Sequence, residues 1–336
     1  MNARIAGILV ILLAMLGGGA LLYQSREAAR RPANAAAMGQ KVFPDLKAAD
    51  VASIRIVEPK ATLTLQRSDQ GWVLAERAAF PADLSKVREF VLKAIELKVG
   101  QSEPIGDKDR ARLNLDGSGT QVELNGADGK PLGKLVVGRK YFRREVENPE
   151  RVPADGRFIM RADNPATVYI VSDPFVQASA RSAAWIDRSA FKIEKVKTLE
   201  LRYPDGSGWR IERSADNADW MLAGVKPGEK LDIGRANAAS YSLGLLELAD
   251  VAPGDAKDTG LDSPTLINAS TLAGLSYAIK VGKAEGESYH VSFTSSGEEP
   301  RDKLLARHVL LIPKSKLEDT LKKRADLLEK KEDTRK

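Results

Sequence analysis

The feature that most constrains this fold is an internal repeat, because the pattern that begins at Val51 begins again at Val196. Four pairs of positions recur at a nearly constant distance along the chain. These pairs are Val51 and Val196 (145 residues apart), Trp72 and Trp220 (148), Leu115 and Leu261 (146), and Val137 and Val281 (144). Such a constant distance is typical of a duplicated structural unit. The sequence therefore predicts two domains of one design, in which both tryptophans are expected to be buried.

The first copy predicts hairpin strands followed by a helix. Apolar and polar residues alternate over residues 51–56 and 62–67, and Gly71-Trp72 begins a third strand. Phe80-Pro-Ala-Asp83 is expected to end the sheet, with the Asp83 side chain capping a helix that ends near Val99. A polar stretch, interpreted as a loop, then leads to predicted strands at residues 121–124, 134–138, 157–160 and 167–171.

The second copy repeats this order of elements. Strands are predicted near residues 198–201, 209–212, 220–222, 275–281, 289–293 and 308–312, with a helix from about Asp232 to Leu248. A last helix is predicted to open at the capping box Ser315-Lys-Leu-Glu318. The predicted fold class is α+β, a tandem duplication of a mostly antiparallel sheet plus helix unit, preceded by one N-terminal transmembrane helix.

That transmembrane helix is predicted from an uninterrupted apolar run of eighteen residues, from Ile5 to Leu22. As a helix this run would span roughly 27 Å, which suffices for the hydrocarbon core of a bilayer. The alternative is a cleaved signal peptide, because the small residues Gly18, Gly19 and Ala20 would suit a signal peptidase. The run is long for a signal peptide, so we expect a membrane anchor.

The orientation of this anchor is set by two opposing arguments. Arg26, Arg30 and Arg31 follow the apolar run, and their charge favours a cytoplasmic body. Large domains, however, translocate largely regardless of nearby charge, and a short anchor before a long body is typical of bacterial envelope proteins. We therefore expect a single-pass protein of the inner (cytoplasmic) membrane with its body in the periplasm.

The patterns together divide the chain into five predicted segments. They are a transmembrane anchor at residues 1–23, a linker at 24–44, a first α+β repeat at 45–190, a second α+β repeat at 191–313, and a C-terminal charged helix and tail at 314–336. The whole chain of 336 residues is long enough to form two hydrophobic cores of ordinary size.

Charge and cysteine content exclude several classes of protein. The net charge is +6, of which residues 1–31 contribute +3 (four Arg, one Glu) and residues 314–336 contribute +3 (nine Lys or Arg, six Asp or Glu). The remaining body is balanced, which argues against a nucleic-acid-binding protein. The absence of cysteine excludes disulfides, thiolate metal sites and a cysteine nucleophile.

Residues with catalytic or metal-binding potential are few and isolated. His290 and His308 are too few for a histidine metal site, and both are expected in strands. Ser189-Ala-Phe-Lys192 has the Ser-x-x-Lys spacing of some serine hydrolases, but the companion motifs are missing. The carboxylate pairs Asp107/Asp109 and Glu298/Glu299 could bind Ca²⁺ or act on a glycan, although solvated charge in a loop is their ordinary role. The sequence thus predicts no catalytic residue, no metal site and no cofactor.

One loop, from Arg139 to Gly156, is long for a connection between two strands. Its counterpart in the second copy, Lys283 to Glu287, is short. The long loop opens with a basic and aromatic run, and Tyr and Arg supply much binding energy from few residues. The candidate partner-binding residues are Tyr141, Phe142, Arg143 and Arg144. A solvated loop without a partner is the alternative.

Five short motifs give the chain a family resemblance. They are Val42-Phe-Pro-Asp-Leu46, Gly71-Trp72, Phe80-Pro-Ala-Asp83, Val137-Gly138 and Trp185-Ile-Asp-Arg188. With these motifs the chain resembles an uncharacterised bacterial domain-of-unknown-function family, found in membrane-anchored envelope proteins and often encoded beside gliding-motility-type ABC transporters and their auxiliary proteins. The resemblance implies a role near such a transporter and implies no catalytic residue.

These observations lead to one expected function and two alternatives. We expect a non-enzymatic, membrane-anchored envelope accessory or scaffold protein that is associated with an ABC-type transporter system. The first alternative is an envelope hydrolase that uses loop carboxylates, and the second is a periplasmic ligand-binding protein with an interdomain cleft. Convergent carboxylates in a concave pocket would favour the hydrolase over the scaffold.

Overall fold

The computed structural model describes residues 37–173 and 175–329. The predicted anchor, most of the predicted linker and the last seven residues lie outside the described residues. Among the helices of the described part, none has both the length and the apolar surface that a bilayer crossing requires. Two antiparallel sheets and a few short helices make up this part, so the fold is mainly β rather than evenly α+β.

The first sheet contains nine strands of the described chain. They are β1 (Ser53–Glu58), β2 (Ala61–Ser68), β3 (Gly71–Leu74), β4 (Phe80–Pro81), β5 (Val99–Pro104), β6 (Thr120–Asn125), β7 (Pro131–Tyr141), β8 (Gly156–Arg161) and β9 (Asn164–Val171). Two helices lie between them in sequence, α1 (Leu84–Glu96) and α2 (Asp107–Arg112). The strand order is β4-β3-β2-β1-β6-β7-β8-β9-β5.

The second sheet contains eight strands within the same described ranges. They are β10 (Val196–Arg202), β11 (Gly208–Glu212), β12 (Met221–Leu222), β13 (Asp250–Val251), β14 (Thr265–Thr271), β15 (Ser276–Glu285), β16 (Ser288–Ser295) and β17 (Leu310–Pro313). The helices of this part are α3 (Ile233–Tyr241), α4 (Pro300–Leu305) and α5 (Lys314–Leu317). The strand order is β12-β11-β10-β14-β15-β16-β17-β13.

The two sheets have the same topology. If β1 is matched with β10 and the following strands are matched in sequence, the two strand orders are identical except for the extra edge strand β4. α1 and α3 also occupy the same place in the order, before β5 and β13 respectively. This arrangement fits the duplicated unit that the repeat predicts.

The match extends to local backbone geometry. The β7–β8 pairing shifts register between Val137 and Lys140, and the β15–β16 pairing shifts between Val281 and Ala284. Each shift contains a glycine. A β-carbon added to Gly138 would lie 2.3 Å from the Leu113 carbonyl oxygen, and one added to Gly282 would lie 2.2 Å from the Thr259 carbonyl oxygen. In both copies the chain therefore bulges where two backbone segments come too close for a side chain.

The chain forms two compact units. One contains the residues up to 62 together with residues 89–179, and the other contains residues 63–88 together with those from 180 onward. In the first unit Phe90 of α1 stacks on Phe175, with ring centroids 4.9 Å apart. In the second, Phe191 stacks on Phe293 at 3.9 Å. The domain limits predicted at residues 190 and 313 stay predictions.

The helix predicted after Asp83 is confirmed with its cap. The Asp83 carboxylate accepts a hydrogen bond from the backbone N–H of Ser85 at 2.9 Å, which satisfies a donor at the helix start. The predicted apolar stripe is Leu84, Val87, Phe90/Val91 and Ala94/Ile95, and α1 buries Val87, Phe90, Val91 and Ala94 of it. Leu84, at the helix start, is exposed, so the hydrophobic periodicity predicts the helix and most of its buried face.

Several local predictions are wrong. Phe80-Pro81 forms the edge strand β4 instead of ending the sheet, and residues 107–112 form helix α2 instead of a loop. β5 and β14 were not predicted, because β5 is mostly polar and β14 presents small residues such as Ala269 to the core. Both strands depend on neighbouring strands more than on their own hydrophobic pattern.

Two predicted helices are shorter than expected. The helix predicted from Asp232 to Leu248 ends at Tyr241, where a 3₁₀ turn over Ser242–Gly244 follows. The C-terminal helix predicted from Ser315 covers only Lys314–Leu317. The helix that begins after Asp232 ends early because Ser242 and Gly244 follow it, and serine and glycine are weak helix formers. Leu317, the last residue of that short helix, is buried, and Leu327 is buried in a separate 3₁₀ turn over Arg324–Leu327.

We expect the two repeated tryptophans to contribute unequally to the free energy of unfolding, because their burial differs. Trp220 is 3% exposed and donates a hydrogen bond to Asn237 Oδ1 at 2.9 Å, whereas Trp72 is only half-buried. We expect Trp220→Ala to lower the free energy of unfolding by about 3–5 kcal/mol. We expect Trp72→Ala to lower it by about 1–2 kcal/mol. Urea unfolding followed by circular dichroism measures both, and equal losses would contradict the difference in burial.

The two bulge glycines provide a second prediction. Gly138→Ala and Gly282→Ala should each lower the free energy of unfolding by about 1–3 kcal/mol, since the new methyl group would overlap a backbone oxygen. Gly117→Ala is the matched control, because an added β-carbon there meets no atom within 4 Å. Its effect should stay within about 0.5 kcal/mol. If the three variants unfold at the same urea concentration, the close approach does not constrain the fold.

Candidate functional site

The long connection in the first copy is confirmed and joins β7 to β8. Because β7 reaches Tyr141 and β8 begins at Gly156, the loop itself comprises residues 142–155. The matching connection between β15 and β16 consists of Gly286 and Glu287 alone. Two residues suffice to close such a hairpin. The additional residues of the 142–155 loop are therefore not required to join the strands.

Hydrogen bonds tie this loop to the strand ends. The Asp155 N–H donates to the Tyr141 carbonyl at 3.0 Å, and the Arg143 N–H donates to the Asp155 carboxylate at 2.9 Å. Further along, the Lys140 ammonium donates to the Pro149 carbonyl at 3.0 Å. These three bonds connect both the base and the middle of the loop to the strand ends.

The four predicted partner-binding residues differ in exposure. Arg143 and Arg144 are exposed, whereas Tyr141 and Phe142 are half-buried. Tyr141 contacts the edge of the Phe158 ring, with centroids 5.5 Å apart. The two arginines are thus available to a partner, while Tyr141 also contributes to packing.

The loop start separates two surface cavities. Tyr141 and Arg143 line a cavity of about 280 Å³ together with Asp155 and Ile170. Phe142 lines a larger cavity of about 820 Å³. The alternation follows from the extended backbone, in which successive side chains point to opposite sides.

The larger cavity is lined by an unusual number of cations. Arg112 comes from the end of α2, Arg139 and Lys140 come from β7, and Arg157 comes from β8. Glu150 is the acidic residue in its lining, and Phe142 and Phe158 are the aromatic ones. We call these seven residues the cationic cavity.

The bulge at Gly138 brings the parts of the cationic cavity together. Arg139, which follows the bulge, donates its backbone N–H to the Leu113 carbonyl at 2.9 Å. Its guanidinium also donates to the Arg112 carbonyl at 3.3 Å. The end of α2 is thereby fixed beside β7, which places Arg112 next to residues that lie about thirty positions later in the sequence.

Arg157 is a half-buried cation of this group. Burial lowers the pKa of its guanidinium, and the negative charge of Glu150 acts in the opposite direction. Since the ordinary pKa of arginine is far above neutral, the side chain stays charged. Arg157 therefore presents a fixed positive charge in a partly desolvated position, where electrostatic interactions are stronger than in bulk water.

Ser189 and His290, which the sequence analysis considered, each have a structural contact. Ser189 and Lys192 do not share a helix; Ser189 forms a β-bridge with Glu247, and its hydroxyl donates to the Asp187 carboxylate at 2.6 Å. The Ser-x-x-Lys spacing brings lysine beside serine only in a helix, so the match is accidental. His290, in β16 as predicted, lies 3.1 Å from Glu285.

His308 and the carboxylate pairs have structural partners. His308 precedes β17 rather than lying in a strand, and its ring meets Phe80 edge to face at 5.1 Å. Burial lowers its pKa, and so does nearby Arg307. The carboxylate pairs form salt bridges, in which Asp107 contacts Arg110, Asp109 contacts Arg112 at 3.1 Å, and Glu298 contacts Lys303. Within the described residues no group of three or more His, Asp or Glu could hold a metal ion.

Comparison with protein families shows a match to a domain of unknown function, DUF4340, over residues 72–264. The matched region covers more than half of the chain. The protein belongs to the DUF4340 family. The DUF4340 region begins in β3 and ends just before β14, so it includes the 142–155 loop and the whole cationic cavity. No curated protein and no solved structure matches the chain.

Sequence reasoning found the loop but not all of the cavity. Arg139 and Lys140 belong to the basic run at the start of the predicted loop, whereas Arg112 lies in the predicted polar loop and Arg157 in a predicted strand. The useful signal was the pairing of β7 with β8, which sets Lys140 opposite Arg157. That pairing becomes visible only when the register across the bulge is known.

Proposed function

We propose that this DUF4340 protein is a non-enzymatic accessory or scaffold protein of the bacterial envelope. In this proposal residues 1–23 anchor it in the inner membrane, its body lies in the periplasm, and its partner is an ABC-type transporter. The observation that carries the proposal is the 142–155 loop. The first copy has this loop, and the second copy closes the same hairpin with two residues.

The composition of the loop supports a contact surface. Arg143 and Arg144 are exposed beside the half-buried rings of Tyr141 and Phe142. Arginine and aromatic side chains contribute a large share of the binding energy at protein interfaces. The hydrogen bonds from Arg143 and Asp155 hold the loop in place, so less conformational entropy would be lost on binding.

The hydrolase alternative has less support. Glycoside hydrolysis needs two carboxyl groups that face each other across a substrate. Asp107 and Asp109 instead point to arginines of their own helix, and Glu298 contacts Lys303. Carboxylates held in salt bridges are poorly placed to act as acid and base on a ligand.

The first test removes the exposed charge of the loop. In Arg143→Ser/Arg144→Ser, we expect less of the ATP-binding and membrane subunits of the transporter to be recovered when the protein is purified in mild detergent. Folding should not change, since substitutions of exposed residues usually cost less than about 0.5 kcal/mol. Quantitative mass spectrometry measures recovery, and circular dichroism measures folding.

A matched double variant on the second sheet is the control. Arg202→Ser/Arg210→Ser removes the same charge from two exposed arginines, each of which pairs with a glutamate. It should recover as much transporter as the unaltered protein. Equal recovery by both double variants would mean that the loop does not contact the partner.

The second test concerns orientation. If the body lies in the periplasm, a protease added to spheroplasts should digest it while a cytoplasmic marker protein stays intact. Large domains translocate largely regardless of neighbouring charge, which is the reason for expecting this side. An intact body, digested only after the cells are lysed, would place it in the cytoplasm.

A further inference from the structure

Two cations face each other across the β7–β8 pair. Lys140 lies directly opposite Arg157 in the register, and both side chains line the cationic cavity. Like charges at directly opposite positions destabilise a sheet. Glu150 offsets part of this repulsion, with its carboxylate 3.4 Å from the Lys140 ammonium. The fold alone gives no reason for such a pair.

The residues that line the cavity carry more positive than negative charge. Arg112 and Arg139 bring the number of cations in the lining to four. The nearby acids are Glu150, in the lining, and Asp109, whose carboxylate is 3.1 Å from Arg112. Four positive and two negative charges leave a net charge of about +2. A cavity lined by one sign of charge concentrates the field and attracts ions of opposite sign.

The second copy shows which of these features the fold requires. Gly282 and the hydrogen bond from the Lys283 N–H to the Thr259 carbonyl, 2.7 Å long, repeat the bulge of the first copy. The cations do not repeat. Arg112, Arg139, Lys140 and Arg157 correspond to Asp258, Lys283, Ala284 and Tyr289 respectively. The same backbone thus forms with one cation in place of four.

The size and lining of the cavity indicate the kind of ligand. A volume of about 820 Å³ is within the range of small-molecule sites. Phe142 and Phe158 provide aromatic surface beside the charges. A phosphate monoester carries a charge of about −1.5 to −2 at neutral pH, which matches the excess charge better than a single carboxylate does. Arginine also binds phosphate oxygens in pairs.

We propose that the cationic cavity binds the phosphate group of a small ligand, with an apolar part of that ligand against Phe142 and Phe158. Arg139 and Arg157 contact the phosphate oxygens, and Lys140 supplies a further positive charge. The phosphate could belong to a soluble monoester or to a lipid headgroup. This site shares Phe142 with the proposed partner surface but involves neither Arg143 nor Arg144, so the two proposals can be tested with separate substitutions.

The experiment titrates the full chain, in a non-ionic detergent at low salt, with phenyl phosphate and follows binding by isothermal titration calorimetry. We expect saturable binding that weakens as salt is raised, because screening reduces the attraction. Arg139→Gln should weaken binding about tenfold, since it removes a charge-assisted hydrogen bond. Glu150→Gln should strengthen binding about twofold to fivefold, because it removes the acid of the lining.

Controls distinguish this site from general attraction to a basic protein. Arg202→Gln removes the same charge from the second sheet and should leave the affinity unchanged. Benzoate, with the same ring and a single carboxylate, should bind more weakly than phenyl phosphate. Circular dichroism checks folding. If Arg139→Gln is unfolded, the test rests on Glu150→Gln, because Glu150 is exposed and its substitution should leave the fold intact. Stronger binding by Glu150→Gln then supports the site, and unchanged binding contradicts it.

A second arm distinguishes the two sources of the phosphate. A short-chain phosphatidic acid, whose headgroup is a phosphate monoester, is added to the detergent. It either displaces phenyl phosphate, which assigns the site to a lipid headgroup, or does not, which assigns it to a soluble ligand. Absence of phenyl phosphate binding at low salt would overturn the proposal. The same conclusion follows if Arg139→Gln, Glu150→Gln and Arg202→Gln all bind with the affinity of the unaltered protein.

Discussion

Much of the architecture depends on one close contact between backbone segments, which occurs in each copy. At Gly138 and at Gly282 the chain bulges, and the next residue donates its N–H to a carbonyl of the preceding connection. A side chain at either glycine would overlap that carbonyl. The contact fixes the segment before β6 against β7, and the segment before β14 against β15. In the first copy it therefore also fixes Arg112 beside Arg139.

The backbone of this connection needs a second unusual conformation in both copies. Asn114 and Gly260 occupy matching positions and have positive φ angles of 54° and 71°. Asparagine and glycine are the residues that adopt this conformation most readily. Bulge and turn together form a joint whose geometry is common to both copies, while the side chains around it have diverged. The cationic cavity is a product of that divergence.

The sequence was most informative where local pattern and packing agree. The alternation in β1 and the helical spacing of α1 predict the observed elements, because one face of each is buried against a core. β14 was missed because it presents Ala269 and Thr271 to the interior, which gives a weak hydrophobic signal. α2 was missed because each of its residues is polar or small. Its helix is supported by salt bridges such as Asp109 to Arg112 rather than by an apolar stripe.

In the candidate site, too, local sequence features could be recognised and features that depend on strand pairing could not. The 142–155 loop could be found because its length differs between the copies, and length is a property of the sequence. The cavity could not, since it depends on a one-residue register shift that no local pattern records. A shift of one residue would move Lys140 away from Arg157. Prediction from sequence therefore stops at the residues whose role depends on pairing between strands.

The hairpin between β7 and β8 also shows how a duplicated protein can diversify at small cost. Lengthening a flexible connection from two residues to fourteen adds only about 1.7 kcal/mol of closure entropy, because this cost grows with the logarithm of length. The bulge and the strand pairs below it already determine where the two strands lie. The hairpin end therefore tolerates insertions while the rest of the sheet keeps its structure. The short turn at Gly286-Glu287 offers the same opportunity for an inserted reporter peptide.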